Sequence, residues 1–185
     1  AKLCEVRVYL SPKVKGLNAY ADGERIVVSP AMMDFTKQEP EQLAFVIAHE
    51  YTHHFMGHVA SAKQNVTIGA IAGILGDVLA QSQGIDTQGQ FTKLGAQTGR
   101  LSFSPEFEQE ADYVGLYILE RAGFETDSAP HFWRRMAAAN PQGLYNRTTH
   151  PTTPERFVLM QKTIAEINQK QQAGLPLVPN LLPKT

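Results

Sequence analysis

The stretch Pro40-Glu41-Gln42-Leu43-Ala44-Phe45-Val46-Ile47-Ala48-His49-Glu50-Tyr51-Thr52-His53 decides how the rest of the chain is read. Glu39-Pro40-Glu41 is a helix start, with proline near the first helical position and acids in the first turn, where they complement the helix dipole. Leu43, Val46, Ile47, Glu50 and His54 then follow helical spacing, and no proline interrupts before Gly57. Four residues rotate a helix by about 400°, so His49 and His53 project from one face, one turn apart. Two imidazoles so placed can grip a single tetrahedral zinc. Glu50 lies about 100° round from His49, near enough to reach a water at the metal's open position but off the ligand axis. It reads as a base, not a ligand. Two histidines and a glutamate on a helix preceded by Leu43, Phe45, Val46 and Ile47 would be costly to bury alone, and a metal supplies the partner.

His54 and His58 lie about 100° and 140° round from His53, so neither shares the ligand face. They are expected at the polar surface or behind the ligands. A histidine six residues beyond His53 would extend the ligand set, but that position is Val59.

A hydrolytic zinc takes three protein ligands and keeps one position open. A second helix, opened by Ser104-Pro105-Glu106 and running through Arg121 to a stop at Gly123, offers Glu106, Glu108, Glu110 and Asp112. Glu108 and Asp112 are spaced i, i+4. One can ligate zinc while the other accepts the second ring N–H of a ligand histidine. Glu110 is about 200° from Glu108, on the far side. Periodicity alone leaves Glu106 and Asp112 open as ligands beside Glu108.

Outward from these helices, Cys4 to Leu10 alternates apolar and polar residues, the pattern of a half-buried strand. Asn18 to Ala21 and Arg25 to Ser29 read as strands about an Asp22-Gly23 turn, so a small antiparallel sheet is expected. Val66 to Ala80 is the most apolar stretch. At 15 residues, with Asp77 and three glycines inside it, it is short for a membrane span. It reads as a buried or loosely packed helix, with an apolar flap or membrane-leaning segment as the alternative. Its continuation to Gly99, rich in Gly, Ser and Gln, reads as a surface connection. Thr126-Asp127-Ser128 caps a helix holding Phe132, Trp133 and Met136. A loop follows from Asn140, then a last helix over about Pro154 to Gln172. The fold class expected is α+β and mainly helical, with one domain over 1–174 and a proline-rich tail over 175–185.

The 185 residues carry 17 basic and 18 acidic side chains, a net charge of −1 that leaves no basic field for nucleic acid. The single cysteine, Cys4, excludes an internal disulfide and any cysteine-based zinc motif, and reads as structural. Ala1 to Leu10 lacks the apolar core of a signal peptide, so the expectation is a mature or trimmed form.

His49-Glu50-x-x-His53 followed by Glu108-Gln109-Glu110-Ala111-Asp112-x-x-Gly115 resembles the gluzincin family of HtpX and the CAAX prenyl proteases, closest to its soluble bacterial envelope branch of the BepA type. The resemblance runs from about Asn18 to Arg156. It implies a zincin-like metallopeptidase domain binding one Zn2+ through His49, His53 and Glu108, with Asp112 behind a ligand histidine. It implies Glu50 as catalytic base in a zinc metalloendopeptidase, acting on unfolded or misassembled envelope polypeptides in the periplasm. Peripheral association with a membrane or envelope protein belongs to the same expectation. Asn18-Ala19-Tyr20-Ala21 is similar to the family's edge strand, which pairs with substrate backbone. Thr149-His150-Pro151 resembles the family's His-Pro loop, and His150 has three readings: a plug on the zinc, an oxyanion stabiliser, or a surface residue. Arg147 or Arg156 could also serve near the site, but each reads more readily as a surface arginine. Relatives often carry an arginine before the third-ligand helix where this chain has Ser104-Pro105, and the membrane helices of HtpX-type members are not expected. A chaperone-like assembly factor with low or plugged protease activity is the alternative.

Overall fold

The computed structural model describes residues 5–100, 103–139, 150 and 153–181, the side chains of 96–100 aside. Cys4, Arg147, Thr149 and Pro151 lie outside the described residues. At the centre is helix α2 (Pro40–Phe55), which packs against α5 (Pro105–Arg121), α6 (Ser128–Ala139) and the sheet. Helix α7 (Pro154–Gln172) closes the far side of α5 and α6. Phe45, Leu116, Tyr117, Leu119, Phe132, Met160 and Ile167 form the fully enclosed part of the core. Phe45 meets Phe132 and Trp133 edge-on, at centroid distances of 6.3 and 6.5 Å, an arrangement that suits the ring quadrupoles.

What positions the site is the crossing of α2 and α5. Glu108, Asp112 and Gly115 form an i, i+4, i+7 stripe on the face of α5 that meets α2. A Cβ on Gly115 would sit 3.3 Å from the backbone nitrogen of His49, so glycine here lets the two backbones close up beside the first histidine. Ser104 caps α5 by accepting the Phe107 N–H, which frees the first turn to carry Glu108 inward.

The sheet corrects one expectation. Strands β1 (Arg7–Leu10), β2 (Ala19–Ala21) and β3 (Arg25–Val28) lie in the order β1-β3-β2; β2 and β3 are antiparallel, as the Asp22-Gly23 turn demands, but β1 runs parallel to β3. The connection over 11–18 steps across the end of β3, with the Ser11 N–H donating to the Val28 carbonyl. Alternation identifies a strand but not its neighbour. β1 is also exposed along its length, not half-buried. A short helix α1 (Pro30–Thr36), capped by Ser29, follows the sheet and escaped the sequence reading.

The apolar segment gives the second correction. It belongs to α3 (His58–Ser82), which folds back on α4 (Gln90–Arg100), a helix where a surface connection was expected. The interior of α3 is not buried: Ile68, Ile71, Ile74, Leu75, Val78 and Leu79 form its exposed outer face. The opposite face carries the glycines. A Cβ on Gly69 would stand 2.4 Å from the Gly95 carbonyl oxygen, and one on Gly73 2.2 Å from that of Phe91, so α4 occupies space that side chains would fill. Asp77 ties the pair together, accepting the N–H groups of Phe91 and Thr92 at 3.1 and 2.9 Å and the Thr87 and Thr92 hydroxyls. Those hydrogen bonds, led by Thr87, hold its carboxyl down to about 2.

Candidate metal centre

Helix α2 points His49 and His53 inward with their Nε2 atoms 3.1 Å apart, both side chains essentially sealed from solvent. Glu108 arrives from α5, with Oε2 3.4 Å from His49 Nε2 and Oε1 3.3 Å from His53 Nε2. His150 arrives from the far end of the chain, with Nδ1 3.0 Å from Glu108 Oε1 and 3.3 Å from His49 Nε2. One donor atom from each of the four lies within 4.8 Å of the others. Glu106, left open by periodicity, does not join them.

Asp112 sits behind the cluster, its Oδ1 3.0 Å from His49 Nδ1. A carboxylate only accepts, so the proton belongs on Nδ1 and the lone pair of Nε2 faces the other donors. Burial alone would raise the Glu108 carboxyl, but His150 and Arg156 beside it more than offset this and hold it well below the usual range.

The donor set fits a divalent cation on two counts. Imidazole nitrogens and a carboxylate at these separations are what a tetrahedral zinc takes. Charge agrees: among the described residues the buried carboxylates are Glu50, Glu108 and Asp112, set against one buried guanidinium, Arg156. Two more positive charges balance them.

Glu50 lies beside the cluster rather than in it. Its Oε2 accepts the Ala21 N–H at 3.0 Å and its Oε1 is 3.2 Å from His150 Nε2. Burial pushes its carboxyl up, against the pull of His150 and His49.

β2 is an edge strand whose free side meets this carboxylate. The Ser29 N–H donates to the Asn18 carbonyl, the Asn18 N–H to the Ser29 hydroxyl and the Asp22 N–H to the Arg25 carbonyl, so the alternation of an antiparallel pair turns Tyr20 toward β3 as well. Of the three residues expected to hold substrate, only Ala19 presents its N–H and C=O away from β3. Ala21 shares that side.

Two surface readings are overturned. His150 is about 10% exposed, held inside the cluster. Arg156 is buried: its Nε and Nη2 clasp Asp112 at 2.6 and 2.7 Å and its Nη1 pairs with Glu108 at 2.9 Å, while the guanidinium lies 4.2 Å over the Trp133 ring. A signal for it existed. Arg156, Met160, Thr163 and Ile167 share one buried stripe of α7, so the arginine begins an inward face.

A mainly helical domain with a small sheet and a His-His-Glu cluster on crossed helices is a zincin-like metallopeptidase domain. The chain belongs to peptidase family M48, whose model matches residues 2–164. It is 36% identical over 128 residues to the beta-barrel assembly-enhancing protease of Yersinia pestis, covering 65% of this chain and 26% of that protein. It is 30% identical over 156 residues to the mitochondrial metalloendopeptidase OMA1 of Schizosaccharomyces pombe, covering 82% of this chain and 44% of that one. A putative beta-barrel assembly-enhancing protease of Vibrio cholerae is 28% identical over 178 residues, 90% of this chain and 35% of the relative. The chain thus spans less than half the length of these relatives.

Proposed function

We propose that this chain is the catalytic domain of a zinc-dependent metalloendopeptidase, with zinc on His49, His53 and Glu108 and with Glu50 as its base. The observation that carries the reading is the convergence of three buried donor groups, two imidazoles and a carboxylate, from two helices, beside the buried Glu50 carboxyl outside the ligand set. Zinc there would supply a Lewis acid that polarises the scissile carbonyl and acidifies water. Glu50 Oε1 takes the proton of the attacking water and passes it to the leaving amine. Its other oxygen is steadied by Ala21. An extended peptide adds to the free side of β2 through Ala19, and the same strand that aligns the substrate orients the base.

His150 is the plug in this reading. Its Nδ1 lies among the ligand atoms, where a fourth donor would sit, and its Nε2 faces Glu50, so substrate enters only once it has swung out. The experiment is zinc analysis of the native protein together with hydrolysis of an unfolded, casein-like chain, with and without chelator, for the wild type and His150→Ala. About one zinc per chain and chelator-sensitive cleavage are expected. If the open state is populated at a few per cent, removing the plug raises the rate by about 20- to 50-fold. A fall in rate would instead make His150 an oxyanion donor. Zinc retained with negligible turnover in both proteins, and tight binding of extended chains, would favour the chaperone-like alternative.

The substrates proposed are unfolded or misassembled polypeptides of the bacterial envelope, and the compartment the periplasm. The names of the beta-barrel assembly-enhancing relatives support this, while those of the OMA1 relatives point to mitochondria. Association with a membrane has its own support. By length and composition α3 is able to cross one, and over 66–80 its outer face carries six exposed aliphatic side chains and no charge, since Asp77 is turned onto α4. Co-sedimentation with phospholipid vesicles, lost in Leu75→Asp, checks it; equal binding by the two proteins would rule the hairpin out.

A further inference from the structure

His53 raises a question that the ligand set does not answer: what occupies its other nitrogen. Nε2 faces Glu108 and His49, while Nδ1 lies 3.1 Å from Nδ1 of His58. His58 in turn places Nε2 2.9 Å from Glu110 Oε2. The result is a row of three groups running outward from the cluster, His53 to His58 to Glu110. His58 is sealed, whereas Glu110 is at the rim with its side chain about 21% exposed.

The protons in such a row have one consistent arrangement. A carboxylate has no proton to give, so His58 Nε2 must be the donor to Glu110. In a neutral imidazole Nδ1 is then the acceptor, and the proton between the two rings belongs to His53 Nδ1. That leaves His53 Nε2 as a bare lone pair aimed at Glu108 and His49. Asp112 imposes the same state on His49 in a single step; Glu110 imposes it on His53 through an intermediary ring. The ring planes are held too. Phe103 stacks on His53 at 3.8 Å and 17°, and Phe107 on His58 at 4.3 Å and 9°.

We propose that His58 and Glu110 are positioning residues, a relay that fixes His53 as its Nδ1–H tautomer and presents Nε2 to the metal. This rests on the zinc reading above. Neither residue touches substrate. A ligand histidine normally donates its second N–H to a fixed acceptor, and loss of that acceptor costs about 10- to 100-fold in metal affinity.

The test uses the whole chain loaded with Zn2+ or Co2+. In the Co2+ protein, ring N–H protons of ligand histidines are shifted by the paramagnetic ion and stay visible only while protected from exchange. The wild type is expected to show those of His49 and His53, together with that of His150 while the plug is seated. His58→Phe removes the acceptor but keeps an aromatic ring against Phe107. It should lose the His53 resonance, keep that of His49, and bind zinc about 10- to 100-fold more weakly in competition with a chromophoric chelator. Glu110→Gln, at the rim, should move affinity in the same direction, because an amide either donates or accepts and no longer dictates the row's polarity. If both variants keep the His53 resonance and wild-type affinity, the relay is wrong and the metal site stands. If the wild type binds neither ion, the zinc reading itself falls. Should His58→Phe fail to fold, the Glu110→Gln result decides.

Discussion

Glu50→Gln is expected to keep its full complement of zinc and lose peptide hydrolysis by about 10²- to 10⁴-fold, the usual contribution of a general base. The two readouts separate because Glu50 is not among the clustered ligand atoms. Glutamine is the informative replacement. Its amide oxygen still accepts the Ala21 N–H that Glu50 Oε2 accepts at 3.0 Å, so β2 stays docked on α2 and the peptide-binding edge is undisturbed. Alanine would free that N–H inside a sealed site and confuse loss of the base with loss of the strand. Stability gives a second check. Burial already penalises the ionised form of Glu50, so a neutral isostere should not lower the melting temperature. Wild-type turnover in this variant would falsify the assignment of Glu50, and loss of zinc would mean that it belongs to the ligand set.

The parts of this architecture legible in the sequence are those written in short-range period. The start of α2 at Pro40, the whole of α5, and α7 over Pro154–Gln172 follow from proline at the first turn and an inward stripe. Within those helices the i, i+4 spacings of His49 with His53 and of Glu108 with Asp112 fix which side chains share a face.

What was not legible depends on breaks and on partners. Extrapolating the α2 helix sends His58 about 140° away from His53. Gly57 adopts φ 77°, ends the helix and starts α3 in a new direction, which brings His58 back behind His53. A left-handed residue cancels any angle counted through it. Glu110 was correctly placed on the far side of α5 from Glu108, but the group it meets there comes from another helix. The outer face of α3 misled for a related reason. An apolar run predicts contact with something apolar, not that the contact lies within the same domain.

Replacing Arg156 is expected to have the largest effect on stability. Arg156→Met keeps much of the volume and the packing on Trp133 but strands two buried carboxylates, Asp112 and Glu108, that the guanidinium holds at 2.6 to 2.9 Å. Removing one partner of a buried ionic cluster costs about 3–5 kcal/mol. For a domain of this size that lowers the melting temperature on the order of 10 °C. A surface arginine would cost within about 0.5 kcal/mol, so the measurement separates the two placements cleanly. Arg156→Lys should fall between, since an ammonium restores the charge but not the fork that grips both Asp112 oxygens. The deficit should also depend on metal. Zinc beside Glu108 supplies part of the charge that Arg156 otherwise provides, so unfolding of Arg156→Met in chelator should show a larger loss, relative to wild type, than unfolding at saturating zinc. An equal loss in both conditions would mean that the arginine and the cation do not share a carboxylate, and Glu108 would have to be replaced in the ligand set.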